Sequence, residues 1–362
     1  MSEKSLFSQW LHLFCGVTFC GCSAFLVLTA SAITNFPESK LLAETAVSQN
    51  LEAASFFQQG VTRYNRQDLQ GAEYAFRQAV QQDPSLAAAR NYLGNIFMEQ
   101  NRLDVALQEY AEAIKVNPNF SEAYYNLGLV LHRQGEKEAA ITAYRQSLVI
   151  DSTRVAALYN LGLALYEQGQ LEDAIATYQK AINLDSSNAN AYFNLAIALQ
   201  QQGQIEPAIA SYRQALQLDP KNATAYTNMA NLLAIHGQAS EAISVYRQAI
   251  RLNPKNASAY YNLGVTLYNQ GEIKKASRVL NYAHNKYREQ GNIEQAEKIE
   301  QLIQQIAQKI GQQQPQVSQT ATTSNLVEKL KRQTPNQPET SADPGNVPFS
   351  VEFQPTLTSP GQ

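Results

Sequence analysis

The sequence predicts an all-α protein in which pairs of antiparallel helices repeat in tandem. One alanine recurs every 34 residues through seven successive blocks. Within a block, apolar residues lie at helical spacing on both sides of a short break, and a glycine at that break suits the left-handed conformation that ends a helix. The alanines are Ala72, Ala106, Ala140, Ala174, Ala208, Ala242 and Ala276. A fixed period of this length indicates supersecondary units that bury their apolar faces against their neighbours.

Residues 121–154 illustrate one block. The pattern predicts a first helix from Ser121 to Gln134 and a second from Lys137 to Ile150, each about 20 Å long at 1.5 Å per residue. Gly135 lies between them, and in four blocks a proline follows the second helix, where it cannot continue the hydrogen-bond ladder. Positions within each block are numbered below from one to 34.

Three positions of the block predict its core. Position eight is glycine or alanine and is expected to lie opposite the alanine of position 20, so that the two helices approach at the short end of the usual range of about 8–10 Å. Position 24 carries a large ring, which is expected to fill the space beside the small pair. The rings are Phe76, Tyr110, Tyr144, Tyr178, Tyr212 and Tyr246.

These residues resemble the tetratricopeptide repeat family. The resemblance covers seven blocks without insertion, at 53–86, 87–120, 121–154, 155–188, 189–222, 223–256 and 257–290. It implies a right-handed superhelical solenoid of antiparallel helix pairs, whose first helices line a concave groove. Isoleucines at three- and four-residue steps after Gly291 predict a capping helix over 291–311, and a homodimer through that helix is the alternative.

The two ends of the chain differ from the repeats. Trp10 to Ile33 contains no Asp, Glu, Lys or Arg, which predicts a signal peptide or a signal-anchor transmembrane helix within residues 1–34. The protein is thus expected to be anchored to a membrane by one N-terminal helix, or exported to a periplasmic, luminal or extracellular space after cleavage near Ala32. Residues 35–52 are predicted to form a linker, and the Pro-, Gln-, Ser- and Thr-rich residues 312–362 a disordered tail.

The composition argues against several classes of function. The net charge of −3 suggests no nucleic-acid partner, and the three cysteines all lie in the N-terminal segment, so disulfides cannot hold the repeats together. No catalytic motif, phosphate-binding loop or metal-ligand spacing is recognisable. We therefore predict a non-enzymatic protein with no cofactor and no metal.

The resemblance implies that position five, with position twelve, lines the groove, which is then aromatic and nearly uncharged. Position six is asparagine in five successive blocks, and such a row either holds the backbone of an extended peptide or supports the solenoid. If it holds a peptide, replacing three of these residues with alanine should leave thermal stability nearly unchanged. The candidate groove residues are Phe57, Tyr64, Asn91, Asn95, Tyr125, Asn126, Tyr159, Asn160, Tyr166, Phe193, Asn194, Asn228, Tyr261, Asn262 and Tyr268.

The predicted function is that of a protein-protein interaction scaffold, at or across a membrane, that binds an extended segment of one or more partner proteins. The alternative is an assembly or chaperone-like factor for a membrane complex, such as a photosynthetic one, because an N-terminal membrane segment precedes the repeats. Metal delivery and a glycosyltransferase targeting arm have weaker support. The lysines with which some family members hold a chaperone's C-terminal carboxylate are absent from the matching positions.

Overall fold

The computed structural model describes residues 51–313 and the side chains of 51–308. The predicted N-terminal membrane segment, nearly all of the predicted linker and the predicted tail from residue 314 lie outside the described residues. Within 51–313 there are 15 helices and no strand. The predicted all-α fold of packed helix pairs is therefore confirmed.

The helices fall into two compact units, residues 51–186 and residues 187–313. The first unit contains four helix pairs: α1 (Leu51–Asn65), α2 (Leu69–Gln82), α3 (Ala87–Glu99), α4 (Leu103–Val116), α5 (Ser121–Arg133), α6 (Lys137–Ile150), α7 (Val155–Glu167) and α8 (Leu171–Leu184). The second contains three pairs and a last helix: α9 (Ala189–Gln201), α10 (Ile205–Leu218), α11 (Ala223–Ile235), α12 (Ala239–Leu252), α13 (Ala257–Asn269), α14 (Ile273–Glu289) and α15 (Ile293–Gln313).

The break between the two helices of a pair has the predicted left-handed residue. Gly135 has φ +82°, and its amide donates to the carbonyl of His132 at 3.0 Å while the amide of Glu136 donates to Leu131 at 2.9 Å. These bonds satisfy carbonyls that the helix end would leave free. Gln67 and Asn101 take the same conformation in the first two repeats, with φ of 61° and 58°.

The predicted core is confirmed, but one contact within it differs from the expectation. The seven alanines of position 20 and the rings of position 24 are all fully buried. A Cβ atom built on Gly128, however, would lie 2.5 Å from the ring of Tyr144, which is the nearest side chain. The glycine therefore lets the ring approach the backbone of the first helix closely, instead of serving mainly as the partner of an alanine.

The last helix packs on the second unit as a cap. Ala296, Ile299, Leu302 and Ile306 of α15 are buried, and α15 contacts α14. Ile293 belonged to the predicted seam but is 49 % exposed. The buried residues still recur at three- and four-residue steps, with Leu302 taking the place of the half-buried Ile303. The predicted homodimer through this helix stays a prediction.

Candidate protein-binding surface

Positions five, nine and twelve of each first helix lie four and three residues apart and so share one helix face, called here the first-helix face. On α5 this face consists of Tyr125, Leu129 and His132, all of them half-buried. On α7 the equivalent Tyr159 and Leu163 are buried, and Tyr166 is half-buried. The first unit thus presents part-exposed aromatic and apolar side chains at the predicted positions.

The hydroxyl groups of two tyrosines on this face are held by the neighbouring first helix. Tyr64 of α1 donates a hydrogen bond to Glu99 of α3, and the Tyr125 hydroxyl accepts one from the Asn160 amide at 3.2 Å. Burial, together with the bond to Glu99, raises the pKa of Tyr64 above its usual range. Burial likewise raises the pKa of Tyr125, so both hydroxyls stay neutral at physiological pH.

An aromatic cluster supports the face at its α1 end. Phe57 is buried with its ring centroid 5.7 Å from that of Phe76. Tyr92 of α3 stacks on Phe76 at 4.9 Å and meets Tyr64 edge-on at 5.5 Å. Tyr92 was missed by the sequence prediction, because position six was read only as the asparagine row.

The predicted asparagines join the first helices to one another. Asn126 of α5 donates to Asn91 at 3.0 Å and to Asn95 at 3.1 Å, both on α3. Asn95 also accepts from the Tyr110 hydroxyl at 2.7 Å, and Asn91 donates to Glu122 at 3.2 Å. This network links the core ring of one repeat to the first helix of the next.

The second unit repeats the central part of this arrangement. Asn262 of α13 donates to Asn231 of α11 at 2.9 Å, and the Tyr246 hydroxyl donates to the same Asn231 oxygen at 2.7 Å. A position-nine asparagine therefore accepts from the ring of its own repeat and from the position-six asparagine of the next. This acceptor is missing where position nine of the preceding repeat is apolar. In the repeat before Asn228, position nine is Ile197. The buried amide nitrogen of Asn228 accordingly has no hydrogen-bond partner among the described residues.

Burial changes the expected role of the asparagine row. The exposed fractions of the five position-six residues lie between 0 % and 6 %, and the amides of Asn126, Asn160 and Asn262 are engaged within their own unit. The expectation that alanine substitutions leave stability unchanged does not fit this geometry. Peptide contact by the row stays a prediction, and its structural role is the one with visible contacts.

We expect Asn126→Ala to lower the free energy of unfolding by about 2 kcal/mol, because buried amide hydrogen bonds are lost and the acceptor of Asn91 loses a partner. Asn183→Ala is the control, since Asn183 is exposed near the end of α8; it should change stability by less than about 0.5 kcal/mol. Urea unfolding followed by circular dichroism measures both. Equal stability of the two variants would contradict the structural role of the network.

The face is less neutral than the sequence suggested. His132 of α5 lies 3.1 Å from Glu167 of α7, and Lys137 lies 2.8 Å from the same carboxylate oxygen. The pKa of Glu167 lies below its usual range, because the bonds from Lys137 and His132 outweigh the opposite effect of burial, which alone would raise the pKa. The sequence reading missed Glu122 and Glu167, because no spacing signal marks a charge that acts across two repeats.

In the second unit most predicted groove residues are covered. Five of them are buried, namely Phe193, Asn194, Asn228, Asn262 and Tyr268, and Tyr261 is half-buried. Part-exposed rings at the predicted positions are thus concentrated in the first unit, at Tyr64, Tyr125 and Tyr166.

Two features of the described residues bear on other functions. Within residues 51–313, no three His, Cys, Asp or Glu side chains gather as a metal site. None of the helices in that range combines the length and the apolarity needed to span a bilayer.

Comparison with known families identifies the repeats. The family described as TPR repeat matches residues 94–135, 132–169, 162–203, 198–237 and 230–271. The chain belongs to the tetratricopeptide repeat family. This family is typically a non-catalytic repeat scaffold for protein-protein interaction. No curated protein sequence matches the chain.

Several solved structures resemble the chain. MamA is 25 % identical, with a TM-score of 0.43 and coverage of 48 % of this chain and 94 % of its own. YrrB, described as a TPR protein with an unusual peptide-binding site, is 25 % identical, with a TM-score of 0.47 and coverage of 52 % and 97 %. PilF from Pseudomonas aeruginosa is 22 % identical, with a TM-score of 0.49 and coverage of 56 % and 92 %.

Proposed function

We propose that this tetratricopeptide repeat protein is a non-enzymatic scaffold that binds an extended segment of a partner protein along the first-helix face of residues 51–186. The observation that carries the proposal is the set of half-buried rings at Tyr64, Tyr125 and Tyr166, two of which have their hydroxyls held by a neighbouring helix. Tyrosines held in this way offer large contact area at low entropic cost.

The carboxylates beside the first-helix face suggest the chemistry of the segment. Glu99 holds the Tyr64 hydroxyl, Glu122 holds Asn91, and Glu167 lies against His132. A segment with apolar side chains and one or more basic residues would complement rings and carboxylates together, whereas a strongly acidic one would be repelled.

The proposal places this scaffold at or across a membrane. Its support is the uncharged segment from Trp10 to Ile33, which has the length and apolarity of a membrane-crossing or signal sequence. An assembly factor for a membrane complex is the narrower form of the same proposal, because it would combine such a segment with the repeat array.

Photo-crosslinking in the native membrane tests the proposal. A photoreactive amino acid replaces Leu129, which is half-buried on the first-helix face, and as a control replaces Ala176, which is exposed on α8. We expect a crosslink from position 129 to one defined segment of a partner and no equivalent crosslink from position 176.

A synthetic peptide with the crosslinked sequence then measures affinity. We expect Leu129→Glu to weaken its binding at least about tenfold, because the substitution puts a charge at the centre of the contact. Ala176→Glu adds the same charge elsewhere and should leave the affinity within about twofold. Equal binding by the two variants would reject the first-helix face as the site.

A further inference from the structure

The net charge of −3 conceals opposite charges on the two units. Residues 51–186 contain 11 Lys and Arg against 16 Asp and Glu, whereas residues 187–313 contain 12 against 8. Five of the basic residues belong to α14, which has one acidic residue, Glu289. The positive charge of residues 187–313 is therefore concentrated on α14.

At two other repeat junctions an ion pair of the same register joins the second helices. Arg145 of α6 lies 3.7 Å from Asp173 of α8, and Arg213 of α10 lies 2.6 Å from Glu241 of α12. In both pairs position 25 supplies the arginine, and position 19 of the following repeat, 28 residues later, supplies the carboxylate. By the same register, Arg247 of α12 is expected to face Lys275 of α14, which puts two cations at the positions where these two junctions have an ion pair.

The start of α14 also departs from the pattern of most other second helices. An acidic residue stands in the first turn of α4, α6, α8, α10 and α12. Neither α2 nor α14 has one, and α14 begins Ile273-Lys274-Lys275 after Glu272 at its N-cap. Cations in the first turn are unfavourable, because the N-terminal end of a helix is itself partly positive. Local electrostatics that weaken the isolated fold are typical of functional surfaces.

The residues concerned are accessible. Five basic residues of α12 and α14 are exposed and together form what is called here the cationic surface: Arg247, Arg251, Lys274, Lys275 and Arg278. Among the described residues only Lys275 has an ion-pair partner, the neighbouring Glu272. Arg251 lies one turn after Arg247 on α12, and Arg278 lies one turn after Lys275 on α14. The positive charges therefore form a continuous patch.

An exposed aromatic side chain extends this patch. Tyr282 lies one turn beyond Arg278, is 54 % exposed and stacks on Tyr260 with ring centroids 6.0 Å apart. Arginine and tyrosine are the residue types most enriched at the centres of protein interfaces.

We propose that the cationic surface binds an acidic segment of a partner protein. A carboxylate beside Arg247 and Lys275 would restore the pairing that Asp173 and Glu241 provide in other repeats, so the missing group is a carboxylate. A membrane surface fits less well, because an interfacial helix inserts an apolar face. On α14 the side chains of Ala276, Leu280, Ala283 and Tyr287 are buried within the unit, and Tyr282 is the one large apolar side chain of this helix that is exposed.

Fluorescence anisotropy of fluorescein-labelled decaglutamate tests the proposal with the 362-residue chain in non-ionic detergent at low salt. We expect the double variant R247Q/R278Q to bind decaglutamate about tenfold more weakly than the unchanged chain. The control K180Q/K221Q removes two other exposed cations that have no ion pair among the described residues, and should change binding by less than about twofold. Equal loss in both variants would overturn the proposal, because it would show attraction to total charge.

Charge reversal gives a second readout that does not depend on affinity. Lys275→Glu recreates the register of Arg213 and Glu241 and removes a cation from the first turn of α14, and these gains should outweigh the loss of the exposed pair with Glu272. We therefore expect the melting temperature to rise by about 1–3 °C and decaglutamate binding to fall about tenfold. A lower melting temperature with unchanged binding would overturn the assignment. The assignment would also be overturned if R247Q/R278Q bound phosphatidylglycerol vesicles more weakly than the unchanged chain does but bound decaglutamate equally well.

Discussion

Replacing Tyr144 with alanine should lower the free energy of unfolding by about 3–5 kcal/mol, the usual cost of truncating a buried aromatic side chain. Tyr144 is fully buried, with its ring against Gly128 and its centroid 6.1 Å from that of Tyr125. The helix pair cannot close around the missing ring, because glycine offers no side chain that could fill the gap. Urea unfolding followed by circular dichroism measures the loss.

Removing only the hydroxyl group of Tyr144, with the ring kept, is a matched control for the loss of the ring. The Tyr144 oxygen is buried and makes no hydrogen bond among the described residues, whereas the Tyr110 hydroxyl donates to Asn95 at 2.7 Å. We therefore expect Tyr144→Phe to leave stability unchanged or raise it by up to about 1 kcal/mol, and Tyr110→Phe to lower it by about 1 kcal/mol. A loss below 1 kcal/mol for Tyr144→Ala itself would show that position 24 does not fill the core.

Replacing Gly128 with leucine should lower the free energy of unfolding by about 3 kcal/mol through overpacking. A Cβ atom at this position already lies 2.5 Å from the Tyr144 ring, and leucine adds three more carbon atoms in the same space. The ring can shift enough for one methyl group, as in the repeats with alanine at this position, but not for a whole leucine side chain, because it is fully buried and its own helix is packed in the pair. The midpoint of urea unfolding should fall accordingly.

Alanine at the same position separates overpacking from helix propensity. Ala196 and Ala230 occupy position eight opposite Tyr212 and Tyr246, so the repeat accommodates one methyl group. Gly128→Ala should therefore cost no more than about 1 kcal/mol, since better helix propensity offsets part of the strain. If Gly128→Leu were as stable as Gly128→Ala, the contact between glycine and ring would carry no steric constraint.

The candidate site was only partly predictable from the sequence. The period placed Tyr125 and Tyr166 on equivalent faces of their helices, because position within the repeat determines helix face, and both rings are half-buried there. It did not reveal that Asn126 is buried against Asn91 and Asn95, or that Glu167 lies against His132. Those contacts join different repeats, and their distances depend on how successive helix pairs pack.

The sequence by itself determined the helix pairs, their breaks and their core positions. These features depend on interactions within one repeat, where a 34-residue period, a left-handed glycine and a buried ring leave little choice. Only the tertiary structure decided which tyrosines stay partly exposed, that the asparagine row is buried, and that Arg145 pairs with Asp173. The register of that ion pair predicts that Arg247 faces Lys275. The physical reason is that exposure and ion pairing depend on neighbouring repeats, which are distant in sequence and close in space.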